Sequence, residues 1–517
     1  MRAEVVLLRS ANQVVVDPTT RHVLNLLAPE LSYVEKRFFH GRELAEARRA
    51  GLPAFEEVVW ELFGEDHKGR IAFPFGLTER VLALLKEAGY RVQLRWATAA
   101  DHELAEERAR TVYCPRWDRI EQFEREGFQF RYQQRHCLEL IARHECGRVS
   151  CPPAWGKGTI IVLACMLFPK AKIAVVTKNV PVLHQRLYPE LAMNLPSVGI
   201  VGGGRKVLNR RVMCYTADSL HHATGEEDFV FIDEGHQACA DRFAENVGRI
   251  FGHARIWMFS ATWDMRLDNK DMRAEAMAGP IRLKVQYHEA VEHGMVVPIE
   301  VVWNDVIMDV NPCAGADGVR KKRYGIWTNT YRNEVIAADA RRYDADTQVL
   351  ITVETIEHAL HLKKLLPEFT LVYSGQGLRP WDIARFRRKG LVPPDWEPMS
   401  DERKARITRR FEQGRLKKVI ATPVWNVGVD FKQLQVLIRA DAGGSPINDT
   451  QIPGRAARRD EAGRKRCGIV HDYLDQFDAG FRAKARGRSR RYAENQWTQH
   501  YPRRLSGSCH SAADGEE

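Results

Sequence analysis

What most limits the fold of this chain is a succession of short, continuous apolar runs rich in β-branched residues, each separated from the next by a helix-length stretch. One series comprises KIAVVT (172–177), RVMCYT (211–216), FVFID (229–233) and RIWMFSAT (255–262). A second comprises QVLITV (348–353), FTLVYSG (369–375), KKVIAT (417–422), VLIRAD (436–441) and CGIVHDY (467–473). Strands that are apolar at every position are buried on both faces, the condition of a parallel sheet covered by helices on both sides. Two series predict two doubly wound parallel-sheet α/β domains in tandem, and 517 residues are too many for one core. The expected layout is a small α/β module at 1–112, a first domain at 113–285, a connector at 286–335, a second domain at 336–475 and a basic, partly disordered tail at 476–517.

Within the N-terminal module, MRAEVVLLRSANQVVV reads as one strand. GLTERVLALLKEAG places Leu77, Val81, Leu84, Leu85 and Ala88 on one helical face and stops at Gly89. YRVQLRW then alternates Tyr90, Val92, Leu94 and Trp96 with Arg91, Gln93 and Arg95, a half-buried strand with a basic outer face. The module is either a structural cap or a nucleic-acid-binding element. The longest apolar run, Ile160 to Phe168, is too short to cross a bilayer, and the N-terminus lacks a signal-peptide pattern. Ten cysteines without C-x-x-C pairs read as reduced thiols. These features point to the cytoplasm of a bacterial or phage-infected cell, with no membrane partner. His144, Cys146 and Cys151 approach a metal spacing but lack a fourth ligand, so they read as core residues.

The formal net charge of +11 favours a polyanionic partner. From Phe481 to Arg504 eight Lys/Arg face a single acid, Glu494, with Tyr492, Trp497 and Tyr501 interleaved. Cations contact phosphates while aromatic faces stack on bases, which makes Arg488, Arg490 and Arg491 candidate nucleic-acid contacts. A solvated tail is the competing reading.

The stretch CPPAWGKGTII (151–161) has the outline of a phosphate-binding loop, G-x-x-x-x-G-K-[ST], with Gly156 and Lys157 in its last glycine and lysine positions. Cys151 holds the first glycine position, Gly158 holds that of the magnesium-binding hydroxyl, and Thr159 comes one residue late. A helix starting near Lys157 would turn its N-terminal amides toward an anion. Seventy-six residues after Lys157, Asp233 and Glu234 end an apolar strand. Two carboxylates emerging there are costly to bury without a cation, and magnesium on nucleotide phosphates supplies one. Asp233 would hold the ion through water and Glu234 would deprotonate the attacking water.

DEGH (233–236), SAT (260–262), VIATPVWNVGVDF (419–431) and QIPGRAARR (451–459), in that order, resemble motifs II, III, V and VI of superfamily 2 helicases. FRYQQRHCLELI (130–141) is similar to the adenine-reading Q motif and VVTKN (175–179) to motif Ia. The N-terminal PFGLTERVLALLKEAGYRVQL and the overall order most resemble XPB-like and phage UvsW-like DNA helicases, and the motor resemblance covers roughly residues 128 to 475.

The resemblance implies two RecA-like domains, ATP and Mg2+ as cofactors, and nucleic acid, DNA rather than RNA, as partner. It implies that Gln133 reads adenine, that Gly156, Lys157, Gly158 and Thr159 cradle the phosphates, and that Ser260 and Thr262 couple to DEGH through His236. Thr177 and Lys178 would touch nucleic acid, Gly428 and Asp430 would lie at the closing interface, and Arg455 and Arg458 would act as arginine fingers positioned with Gln451. Gly158 departs from the family pattern, and moving the hydroxyl to Thr159 rotates it by about 100° around a helix. An ATP-dependent DNA helicase or translocase is therefore the first expectation. A nucleic-acid-binding protein with an ATP site that no longer turns over is the second, and an RNA helicase the third. Deleting the residues after Asp478 is expected to weaken DNA binding and spare basal ATPase.

Overall fold

Phe229–Asp233 is apolar at its first four positions because it lies inside a sheet with a strand on each side and helices over both faces. The computed structural model that contains it describes residues 4–502, apart from 12, 40, 264–269, 377, 426–428, 430 and 461–462. Gly428 and Asp430 thus lie outside the described residues. The chain forms two compact units that divide between Val296 and Val297.

The first unit holds an eight-stranded sheet in the order Arg205–Val207, Val198–Gly202, Val212–Thr216, Ile173–Thr177, Phe229–Asp233, Arg255–Ser260, Gly147–Ser150, Ile281–Lys284. Every pair is parallel except the hairpin at the Arg205–Val207 edge. Helix Lys157–Leu167 is apolar almost all round and buried accordingly.

The N-terminal module belongs to this unit. Its first stretch is a hairpin, not the single strand expected: Glu4–Arg9 pairs antiparallel with Gln13–Asp17 and parallel with Arg91–Trp96. The polar residues around Ser10 make the turn that a reading by apolar content joins over. Val5, Leu7, Val14, Val16, Leu77, Val81 and Leu85 form the module's core. It is tied to the large sheet by Arg80, which donates to Glu275 at 3.0 and 2.8 Å, and by the pair Arg9–Glu145.

The second unit holds a seven-stranded, all-parallel sheet in the order Thr370–Val372, Lys418–Ala421, Val349–Thr352, Val436–Arg439, Gly468–Asp475, Ile299–Val306, Thr498–His500. The five strands foreseen in this half are present. Two further strands come from segments read as connector and tail. Ile299–Val306 escaped notice because Glu300, Asn304 and Asp305 interrupt its apolar pattern.

The tail is also corrected. Residues 479–494 form a helix and Thr498–His500 pairs with Ile299–Val306, so this stretch closes the sheet edge. Arg488, expected on a nucleic-acid face, is 1% exposed and donates to both carboxylate oxygens of Asp472 at 2.8 and 2.9 Å. Arg491 pairs with Asp449. Tyr492 and Trp497, expected to stack on bases, are buried and stacked on each other. Burying a guanidinium requires a carboxylate partner, and Asp472, on the preceding strand Gly468–Asp475, lies outside the arginine-rich segment. Arg490 is exposed, as are Arg482 and Arg486, four residues apart on one helical face.

No helix among the described residues is long and apolar enough to cross a membrane.

Breaking a buried pair from one side leaves an uncompensated charge. Arg488→Ala is expected to destabilise the second unit by about 3–5 kcal/mol, measured by urea unfolding, and truncation after Asp478 to prevent that unit from folding at all. In the same network, burial pushes the Asp441 carboxyl up, but the Arg439 guanidinium outweighs it and holds the pKa down at about 2, below the ordinary 3.8. A depressed carboxylate stabilises the fold above its unfolded value and loses that contribution as pH falls through the folded one. Melting temperature should therefore drop between pH 3.8 and about 2, and Asp441→Asn should flatten the drop.

Candidate functional site

Three adjacent strand ends build the site. Arg255–Ser260 lies between Phe229–Asp233 and Gly147–Ser150, with Asp233 paired to Phe259 and Ser260 to Ser150. Parallel strands end on one edge of a sheet, so the loop after Ser150, the carboxylates after Ile232 and the hydroxyls at 260–262 emerge side by side. Cys151 N donates to Ser260 O at 3.1 Å, fastening the loop to the central strand.

The loop turns into helix Lys157–Leu167 at Gly156, whose φ is 103°. A Cβ at this position would lie 2.4 Å from Gln134 Nε2, so both backbone conformation and space require glycine. Gln134 is 1% exposed, donates to the Trp155 carbonyl at 2.8 Å and accepts from Arg131 N at 2.9 Å. Gln133, the residue assigned to this region from the sequence, sits one place earlier in a left-handed N-cap with φ 61°. Gln134, and not Gln133, makes the side-chain contact to the loop. Adjacent glutamines at a helix start point about 100° apart, and only the cap conformation decides which one faces the loop. The Tyr132 ring stacks on His293 at 3.8 Å, and its carbonyl accepts from Trp155 Nε1 at 2.9 Å.

Lys157, 4% exposed, is the cation of the site. Its Nζ lies 2.6 Å from Glu234 Oε1 and 3.5 Å from Asp233 Oδ1. Burial works against the ammonium, but Glu234 and Asp233 outweigh it and raise the lysine above its ordinary pKa. Burial likewise pushes Glu234 up, while Lys157, His236 and Arg186 together hold it below the ordinary glutamate value. Glu234 has φ 53°, a left-handed backbone unusual for a residue with a side chain. Such strain costs on the order of 1–3 kcal/mol and is retained where the position matters. Asp233 Oδ1 is buried and has no hydrogen-bond partner, an acceptor that suits a hydrated divalent cation.

From Glu234 the contacts continue to the next strand end. Glu234 Oε2 is 3.5 Å from His236 Nδ1, His236 Nδ1 is 2.8 Å from Ser260 Oγ, and Thr262 N donates to Ser260 Oγ at 3.1 Å. The structure thus brings Lys157, Asp233, Glu234, His236, Ser260 and Thr262 together.

Other expected residues are placed differently. Thr159 Oγ1 donates to Glu190 Oε1 at 3.0 Å, and Gly158 is buried beside it. Thr177, expected to touch nucleic acid, ends its strand completely buried, because the strand is covered on both faces; Lys178 beside it is exposed. In the second unit Arg455 lies in the 3-10 turn Pro453–Ala457, Arg458 caps it, and Gln451 ends the preceding helix. The Lys465 ammonium donates to the carbonyls of Ala456 at 2.5 Å and Arg458 at 2.9 Å, pinning that turn, and burial pulls its pKa down to about 7. Gln134, Glu190 and Arg186 in the first unit, and Lys465 behind the Pro453–Ala457 turn in the second, are residues that the sequence motifs did not single out.

Residues 333–460 match the family described as helicase conserved C-terminal domain. No curated protein matches the chain. Among solved structures, T4 UvsW is similar at 13% identity over 96% of this chain and 99% of that one, with a TM-score of 0.41. Dbp5 of S. cerevisiae, bound to RNA and ADP BeF3, is similar at 13% identity over 73% of this chain and 92% of that one, with a TM-score of 0.48. Lhr of Mycobacterium smegmatis, bound to ssDNA and AMP-PNP, is similar at 17% identity over 74% and 50%, with a TM-score of 0.46.

Lys157 balances two buried carboxylates, so Lys157→Met is expected to destabilise the first unit by about 3–5 kcal/mol. Lys157→Met/Glu234→Gln should recover part of that loss, a coupling read from a double-mutant cycle in urea.

The second sheet thus carries, at residues 333–460, the helicase conserved C-terminal domain, and the Gly156-Lys157 loop, the DEGH stretch and the SAT triplet meet at neighbouring strand ends of the first.

Proposed function

We propose that this protein is a nucleic-acid-dependent ATPase that couples ATP hydrolysis to strand unwinding or to remodelling of branched DNA. The observation that carries the reading is the shared cation. One buried lysine at a phosphate-loop position holds both carboxylates of the DEGH stretch, and this pair is wired through His236 to the next strand end.

Phosphate oxygens arriving at the loop compete with Glu234 for the Lys157 ammonium. As Lys157 turns to the phosphates, Glu234 loses its closest cation and its basicity rises, which suits it to take a proton from the attacking water. Asp233, whose Oδ1 accepts no hydrogen bond and has the Lys157 ammonium 3.5 Å away, is the residue that would hold magnesium, and the ion would supply positive charge to neutralise the phosphate oxygens. Glu234, His236 and Ser260 form one contact chain, so a change at the carboxylate is felt at the adjacent strand end. Arg455 and Arg458 act as arginine fingers with Gln451 beside them, and such an arginine contributes a factor of ~10³ or more to hydrolysis. Gln133 is the residue that would read adenine, and Gln134 beside it holds the loop through the Trp155 carbonyl. DNA as the substrate and 3′-to-5′ movement follow from the XPB-like and UvsW-like sequence resemblance, and Lys178 and Arg490 are exposed cations available to phosphates.

Steady-state phosphate release with single-stranded DNA, forked DNA or RNA tests the reading. Glu234→Gln should lower stimulated turnover by ~10²–10⁴-fold and retain nucleotide binding. Wild-type protein that binds DNA but releases no phosphate at any magnesium concentration would establish a binder in place of a motor. Stronger stimulation by RNA than by either DNA would reassign the substrate.

A further inference from the structure

Gly158 stands where a phosphate loop has its magnesium-binding hydroxyl, yet the space beside it is filled. An ideal Cβ built at 158 would lie 2.2 Å from Glu190 Oε2, 2.9 Å from its carboxyl carbon and 3.2 Å from Oε1. The Glu190 carboxylate therefore occupies the volume that a side chain at 158 would take. Glycine inside a helix costs about 1 kcal/mol relative to alanine, and Gly158 is the second residue of an otherwise strongly apolar, buried helix. Helix propensity does not account for it; accommodation of the carboxylate does.

Glu190 reaches this position through a local irregularity. It lies on helix Tyr188–Asn194, which continues directly from a π-helical turn at Leu183–Leu187. A π turn takes up one residue more than an α turn, which rotates all later side chains by about 100°, and such insertions recur at functional sites. Leu187 and Leu191 go into the core, and Glu190 is left facing helix Lys157–Leu167, where Thr159 donates to it at 3.0 Å.

Resting on the ATPase reading above, we infer that Glu190 replaces the missing hydroxyl as the protein's own oxygen donor toward magnesium, directly or through a water. The second observation is Asp233, 4% exposed, whose Oδ1 accepts no hydrogen bond and has only the longer of the two Lys157 ion pairs, at 3.5 Å. Exchanging a neutral hydroxyl for a carboxylate adds a negative charge near bound phosphates. Nucleotide binding by this protein should consequently depend on magnesium more steeply than binding by a loop that has the hydroxyl.

The test is binding of a non-hydrolysable fluorescent ATP analogue across a magnesium titration, with manganese binding followed in parallel by electron paramagnetic resonance. Melting temperatures without nucleotide check that each variant is folded. Glu190→Gln should raise the half-saturating divalent-ion concentration roughly 10- to 100-fold. Gly158→Ser alone should impair binding by steric conflict, and Gly158→Ser/Glu190→Ala should restore it with a shallower magnesium dependence. If the wild type binds the analogue and Glu190→Gln retains its magnesium requirement, Glu190 is only a structural partner and the inference fails while the ATPase reading survives. Failure of the wild type to bind the analogue at any magnesium concentration overturns both.

Discussion

The placement of one ammonium group between two carboxylates organises the first unit. Lys157 begins a helix that is otherwise apolar, and Asp233 and Glu234 end a strand that is otherwise apolar. None of the three is tolerable alone at that depth, since an unpaired charge in such surroundings costs several kcal/mol. Together they fix the distance between the loop and the strand end. The strand between them adds the next link, because Ser260 closes against Cys151 on one side and against His236 on the other. Charge pairing, strand order and the hydroxyl contacts thus specify one geometry, and the left-handed backbone at Glu234 is sustained by it.

Much of this was legible because it is local or periodic. Continuous apolar runs such as FVFID and VLIRAD mark strands buried on both faces, and the Gly-Lys and Asp-Glu pairs stand at their ends. What escaped was long-range or conformational. The assignment of the loop contact to Gln134 instead of Gln133 depends on a cap dihedral. Ile299–Val306 carries three polar residues that a strand can hold only because it runs between two partners, Gly468–Asp475 and Thr498–His500. Those partners lie more than a hundred residues away in sequence.

The arginine-rich segment shows the same limit in electrostatic form. By composition it is a polyanion-binding tail, yet its helix divides by face. Arg488 and Tyr492 meet Asp472 inside the second unit, where Arg439, Asp449 and Asp441 extend the network, while Arg482, Arg486 and Arg490 remain outside. A net charge counted along the chain therefore overstates what is available to phosphates. The inward arginines contribute to holding the last strand in place, and only the outward stripe retains the character first read into the whole segment.

The phosphate loop presents the converse case, a mismatch in one dimension that the fold fills in three. Read as a motif, Gly158 is a missing ligand and Thr159 a misplaced one. In the structure the volume beside Gly158 is filled by a carboxylate from another helix, and the hydroxyl of Thr159 is its hydrogen-bond donor. The substitution is not neutral in charge. Three acids, Asp233, Glu234 and Glu190, then stand near Lys157 and Arg186, one acid more than cations. A glycine in place of a hydroxyl is evidence of a decayed site only where its volume is left empty, and here that volume holds the oxygen chemistry that magnesium prefers.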